Sequence, residues 1–338
     1  MDGQYLLQET DGGAAWCVCG VTDKLVEEIA LPQTIGGRPI VEIAARAFVG
    51  CKRLKRIVLP RGVVRVGVGA FDGCTALTSV VCTTAALVDL PRKSVESVEI
   101  IGGESIPVCA FERCGSLRRV EICEGVREIG AWAFACCTSL REIVLPTSVQ
   151  RIGERAFHRS GLESISLPGV REIGDSAFAN CNDLQGLNFP SGLCRLGKWA
   201  LLGCTRLTAI LVDANNTKYC SLDGNLYEKD GKTLLYYAAG KQETAFVVPK
   251  GVTEIGAHAF EGCGLESVAL QEGVLAVGDW AFHGCKRLKS VRFGGGLRRV
   301  GKGAFHSCEA LSGVELPAGV ELGEWALFGS GVKECGAN

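Results

Sequence analysis

The residues in this chain best equipped for chemistry are 18 cysteines, four histidines and five tryptophans. Thiolates and imidazoles hold zinc, most recognisably through Cys-x-x-Cys or paired-histidine spacing. No Cys-x-x-Cys occurs. Two weaker arrangements do. Cys17-x-Cys19 places two thiols on one face of an extended segment, and His283-x-Cys285 recurs as His306-x-Cys308. Those last four side chains occupy matching positions and are the best zinc candidate. His158 stands in the same histidine column but has Ser160 where the thiol would be. That favours an outward imidazole and an inward thiol over a zinc site, so no metal or cofactor is expected. A phosphate-binding glycine loop, a paired-histidine metal motif and a Gly-x-Ser-x-Gly elbow are all missing. Four histidines leave little material for a triad, so no catalytic residue is assigned and the chain is read as non-enzymatic.

The spacing of these residues is more informative than their chemistry. Nine cysteines stand three residues after the Phe or Leu of a recurring small-large residue pair: Cys51, Cys74, Cys114, Cys137, Cys181, Cys204, Cys263, Cys285 and Cys308. Ser160 and Ser330 take that place twice more. Free cysteine packs as a small hydrophobe, and side chains pointing in parallel from stacked coils are badly placed for disulfides. Reduced, structural thiols are expected. Trp132, Trp199, Trp280 and Trp325 share another column, interrupted by Arg155, Ser176, His258 and Gly303. Such a column could form an aromatic ridge for sugars or a protein anchor. Half-buried rings covering the neighbouring turn are the favoured reading.

The elements that position these columns form a repeat. A small residue followed by a large apolar one, usually Ala-Phe, occurs eleven times, from Ala47-Phe48 to Ala326-Leu327, at intervals of 21 to 23 residues outside two longer gaps. That period implies a solenoid, whose units bury their apolar faces only by stacking. The unit is clearest at Leu140-x-x-Ile143-x-Leu145-Pro146, Val149-x-x-Ile152-Gly153 and Ala156-Phe157. Ile143 and Leu145 alternate as in a half-buried strand, and Pro146 closes it. Gly153 is expected to adopt a turn conformation that a Cβ would strain. Ala156-Phe157 is expected to form a short 3₁₀ turn with Phe157 inside. Counting the shortened rung Val95-x-x-Val98-x-Ile100 and Phe246-x-Val248-Pro249 gives thirteen rungs, the first at Val26-x-x-Ile29-x-Leu31. Val332-x-x-Cys335 would begin a fourteenth.

The predicted fold is therefore mostly β: a single elongated right-handed coil of parallel rungs joined by short 3₁₀ turns. Residues 1–24, with Asp11-Gly12-Gly13 between two apolar runs, are expected to form a capping hairpin on the solenoid 25–338. A shortened rung falls near 83–110, and Asp223-Gly224 predicts a β-hairpin insertion at about 219–240, projecting from one edge. Glu128, Arg151, Glu172 and Arg195 alternate in charge over consecutive coils, which would favour correct register. Charges nearly cancel over 338 residues, at a net −1, so no overall attraction to nucleic acid is expected. No run of about 18 apolar residues predicts a membrane span.

The frame Leu-x-x-Ile-x-Leu-Pro, Val-x-x-Ile-Gly-x-x-Ala-Phe-x-Gly-Cys, clearest at Leu265–Phe282 and Leu288–Phe305, resembles the BspA-type leucine-rich repeat. The resemblance covers about residues 25–335. It implies a leucine-rich-repeat solenoid, as in surface or secreted proteins of host-associated bacteria and protists implicated in adhesion. The N-terminus Met1-Asp2-Gly3-Gln4-Tyr5 shows no signal-peptide pattern. Absence of that signal points to the cytoplasm, whereas the resemblance points to the cell surface or secretion. The expected function is a monomeric, non-enzymatic scaffold presenting an extended sheet to a protein partner. The alternatives are a bacterial cell-surface adhesin binding host protein or glycan, and a purely architectural role. Candidate partner-binding residues are Trp132, Trp199, Trp280 and Trp325, with Arg56, Arg119 and Glu142 on the outward strand positions.

Overall fold

A computed structural model describes residues 4–331, so the rung expected at Val332-x-x-Cys335 lies outside the described residues. The chain divides into two compact units, Met1–Ala177 and Phe178–Asn338. Each is a stack of parallel β coils, and the described residues make about 13 turns with no α-helix among them.

In the first unit one ladder runs through Glu28–Ala30, Arg56–Val58, Ser79–Thr83, Ser97–Gly102 and Arg119–Ile122, all parallel. Glu142–Val144 and Ser164–Ser166 form the next parallel pair. Register places apolar residues opposite one another: Ile29, Ile57, Val80, Val98 and Val120 all face the interior. A second ladder of two-residue strands contains Ser105–Ile106, Glu128–Ile129, Arg151–Ile152 and Glu172–Ile173. The 3₁₀ segment Thr84–Asp89 carries the chain between the strands Ser79–Thr83 and Ser97–Gly102. The latter stands in the ladder as a rung of its own.

The turn edge closes each coil. Phe134 N–H donates to the Ala156 carbonyl at 2.7 Å, and the same bond joins Phe48 to Ala70 at 2.8 Å and Phe111 to Ala133 at 2.7 Å. Rings stack behind these bonds, Phe111 on Phe134 at 5.0 Å and Phe134 on Phe157 at 5.2 Å. The alanine is small because its carbonyl must meet the amide of the preceding coil. Each turn keeps the i to i+3 hydrogen bonds of a 3₁₀ turn: Ala135 N–H donates to Trp132 and Cys137 N–H to Phe134. However, Trp132 (φ 58°) and Cys136 (φ 59°) lie in the left-handed region and break the turn into two, since a 3₁₀ helix needs φ near −60°.

Gly153 requires a correction. Its φ is not positive; instead a Cβ there would sit 2.6 Å from the Ala131 nitrogen. The glycine is required by close approach of the neighbouring coil, not by turn geometry.

At the N-terminal end Tyr5–Thr10 and Ala15–Val21 pair antiparallel, and Ala15–Val21 runs parallel to Arg38–Ile43. Val18 is opposite Ile43 and fully buried. A second small hairpin, Thr34–Ile35 against Arg38–Pro39, turns through Gly36-Gly37.

The second unit repeats this plan with Gly186–Phe189 on Ala209–Val212, and with Ala245–Val247, Ser267–Ala269 and Ser290–Arg292. Between them Tyr219–Leu222 and Asn225–Glu228 form an antiparallel hairpin. Asp223 (φ 50°) and Gly224 (φ 73°) both take left-handed values, the geometry that matches strand twist in a two-residue turn. The expectation that the whole segment projects from an edge is corrected by its third strand. Thr233–Tyr236 pairs antiparallel with Asn225–Glu228 and parallel with Glu254–Ile255, so it is itself a rung of this unit's own ladder of short strands. That ladder continues through Ala276–Val277, Arg299–Val300 and Glu321–Leu322.

Candidate functional site

Three sets of side chains could carry function: the thiol ladder, the outward face of the main strands, and the tryptophan column at the turn edge.

The thiols point inward and serve the turns. Cys74 donates to the Phe48 carbonyl at 3.2 Å, Cys137 to Phe111 at 3.1 Å, Cys285 to Phe260 and Cys308 to Phe282 at 3.0 Å each. Each thiol thus caps the carbonyl of the aromatic residue one coil earlier. All 17 described cysteines are free, Cys335 lying outside the described residues. Burial pushes the Cys74 and Cys82 thiols up to about 12 and Cys114 up to about 11. Such thiols are poor nucleophiles at neutral pH.

The quartet His283, Cys285, His306 and Cys308 of the second unit does not converge. While Cys285 and Cys308 turn inward, the His283 and His306 rings pack 5.2 Å from each other and 5.3 Å each from Trp280. Burial lowers the pKa of His283, favouring the neutral ring. No group of three or more potential ligands is arranged for a metal among the described residues.

Arg56, Arg119 and Glu142 lie on the outward face of the main strands of the first unit. Arg56 bonds Glu28 and Ser79, both at 3.1 Å, so it bridges three rungs. Arg119 pairs with Glu121 on its own strand. Glu142 is opposite Ser164 in register.

All four column tryptophans hold left-handed φ of 56–58°, and Arg155 (51°), Ser176 (54°) and His258 (60°) in the same place are left-handed too. A bulky residue in that region is strained. The sequence did carry a signal for this, because Gly69 and Gly303 occupy the column in other coils. The rings then divide by environment. Trp132 is half-buried, with the Arg155 guanidinium 4.9 Å from its centroid. Trp280 lies flat over the next coil, where a Cβ on Gly303 would come within 2.5 Å of the ring. These two match the packing role. Trp199 and Trp325 keep 41% and 51% of their surface exposed, though Lys302 covers part of Trp325 at 4.5 Å. Trp199 and Trp280 also border one groove in the second unit. No helix among the described residues is long and apolar enough to cross a membrane.

The chain is similar in structure to a leucine-rich cell surface protein of Faecalibacterium prausnitzii, with TM-score 0.65 and 26% identity over 95% of this chain and 83% of that one. It also shares its fold with the pneumococcal vaccine antigen PcpA (TM-score 0.63, 22% identity, 95% and 75% covered). A leucine-rich repeat protein of Bacteroides ovatus gives 0.56 and 22%, with 96% and 91% covered. No curated protein is similar enough to match. The profile of the BspA type leucine-rich repeat region matches in six copies, at residues 24–94, 104–221 and 236–335. On that match, over most of its length, the chain belongs to the BspA-type leucine-rich repeat family.

Proposed function

We propose that this protein is a non-enzymatic binding scaffold that presents the outward face of its main strands to a protein partner, as a monomer. The observation that carries this reading is a contrast within single strands. Inward positions repeat one chemistry, Ile57, Val80, Val98, Val120 and Ile143, whereas the residues just before them are Arg56, Ser79, Ser97, Arg119 and Glu142. Stacking constrains the first set and leaves the second free to suit a partner, which is how repeat proteins build extended surfaces. Arg56 and Arg119 supply the planar, charged anchors enriched at interface centres.

A photo-crosslinking residue in place of Arg119 or Glu142 is expected to trap one partner from the source cells, and the Arg56→Ala, Arg119→Ala double variant to lose it. A partner trapped equally well from Lys302, on the turn edge of the other unit, would overturn the reading.

The likeness to a leucine-rich cell surface protein favours a second reading, a bacterial surface adhesin for host protein or glycan. Antibody labelling of intact cells tests it: labelling only after permeabilisation removes it.

A further inference from the structure

One coil of the second unit is shorter at its turn edge than its neighbour. From the ladder residue Ile255 to Phe260 the chain takes five steps, but from Leu234 to the corresponding Tyr237 only three. Tyr237 holds the interior aromatic position, since its N–H donates to the Ala259 carbonyl at 2.8 Å and its ring stacks on Phe260 at 5.1 Å. The missing residues would have formed the outward bulge. In their place is an open groove of about 620 Å³, with Leu235 and Tyr236 among its lining. Trp199 and Trp280 stand at its sides, Tyr219 and Glu228 enter from the hairpin, and Asp279 completes the rim.

We infer that this groove binds a saccharide, with Trp199 as the stacking platform and Glu228 and Asp279 as hydroxyl acceptors. Aromatic faces are apolar and carry partial negative charge, so they suit the polarised C–H faces of a pyranose. Ionised carboxylates accept strong hydrogen bonds from ring hydroxyls. The Asp279 carboxylate is held in place, since its Oδ1 accepts from the Lys302 N–H of the following coil at 2.9 Å. Lys198 also lines the groove and offsets one of the two carboxylates, so little net charge remains, as suits a ligand dominated by hydroxyls.

An extended peptide fits less well. The strand Thr233–Tyr236 bounding the groove is paired on both sides, which leaves no free edge for main-chain pairing. The volume exceeds what one side chain would fill and lies within the range of small-molecule sites.

The inference gives the glycan of the adhesin reading a place on the molecule, and rests on that reading only for its ligand class. Surface display is measured separately by antibody labelling, so failure of either leaves the other to its own test. The full chain is screened on an oligosaccharide array and titrated with chitotriose, cellotriose and maltotriose. At least one saccharide should bind, and Trp199→Gly should weaken it about tenfold or more. Glycine relaxes the left-handed backbone at that position, so this variant should melt no lower than the parent. Trp325→Gly, in the same column outside the groove, should leave binding unchanged. Glu228→Gln, at an exposed site, provides a second variant should Trp199→Gly fail to fold. Three results overturn the inference: no saccharide retained, equal losses from Trp199→Gly and Trp325→Gly, or retention of peptides alone.

Discussion

The turn edges of the two units solve one packing problem differently. In the first, Trp132 lies under Arg155, and the rings of Phe111, Phe134 and Phe157 stack without interruption. In the second, the coil ending at Tyr237 omits the outward bulge and leaves Trp199 beside a groove. Yet the interior stack hardly registers the change: Tyr237 to Phe260 is 5.1 Å, against 5.2 Å for Phe134 to Phe157. Interior and turn surface are therefore separable. The hydrogen bond from the aromatic residue's N–H to the alanine carbonyl of the next coil, together with the ring stack, defines the coil, and the bulge outside them can be deleted.

The strongest way to break this comparison is to delete the interior ring on both sides. Phe134→Ala should cost about 3–5 kcal/mol, as for other large buried aromatics. If Tyr237 is the equivalent residue, Tyr237→Ala should cost a similar amount, read as the shift in urea midpoint at constant slope. A loss of under about 1 kcal/mol would show Tyr237 to be a surface filler and the two edges to be unrelated. A smaller effect is expected at the close approaches. Gly153→Ala forces a Cβ to 2.6 Å from the Ala131 nitrogen and should cost about 1–3 kcal/mol. Gly264→Ala, with nothing within 4 Å of the added carbon, should be within about 0.5 kcal/mol of neutral. Equal melting temperatures for the two would remove the close-approach account of the Ile-Gly column.

The sequence showed what repetition multiplies. Eleven copies of the pair, nine of them Ala-Phe and two Ala-Leu, and nine of the cysteine make an inward column plain, because each position samples the same contact again. Features set by a single coil were hidden. Gly153 looks like a turn glycine until the neighbouring backbone is seen beside it. The short coil was masked because Tyr237 replaces the phenylalanine that marks the frame, although the three-residue step from Leu234 was there to count. The split of the tryptophan column into packed and exposed rings depends on the next coil: Arg155 after Trp132, Gly303 after Trp280. Spacing alone does not contain that information.

Buried thiols offer a pH test confined to the first unit. Burial raises Cys82 from an ordinary 9.0 to about 12. Below pH 9 both folded and unfolded states keep the proton, so this thiol adds no pH dependence. Above pH 9 the unfolded thiol ionises first, and stability falls until the folded value is passed. At pH 10 the loss from Cys82 should be about 1 kcal/mol. Melting curves of the parent and Cys82→Val at pH 8 and 10 check the sign. A parent no less stable at pH 10, or a Val variant with an undiminished pH response, would contradict it.

The smallest effect concerns the charge column of the second ladder. In the first unit Glu128, Arg151 and Glu172 are in direct register, and Arg151 pairs with Glu128. Arg195, which continues the alternation in sequence, belongs to the second unit. The matching row there reads Glu254, Ala276, Arg299 and Glu321, so an alanine breaks the alternation. Both rows are at the surface, where an ion pair contributes about 0.2–1 kcal/mol and salt screens it. Arg151→Ala should accordingly lower stability by less than about 1 kcal/mol, with most of the difference gone at 1 M salt. Arg151→Glu should cost more, since it sets three carboxylates side by side in register. That penalty should also shrink with salt, whereas a packing defect would persist. A salt-independent loss would mean that the Arg151 side chain matters for the contacts of its alkyl stem, and the alternation would then have no part in register.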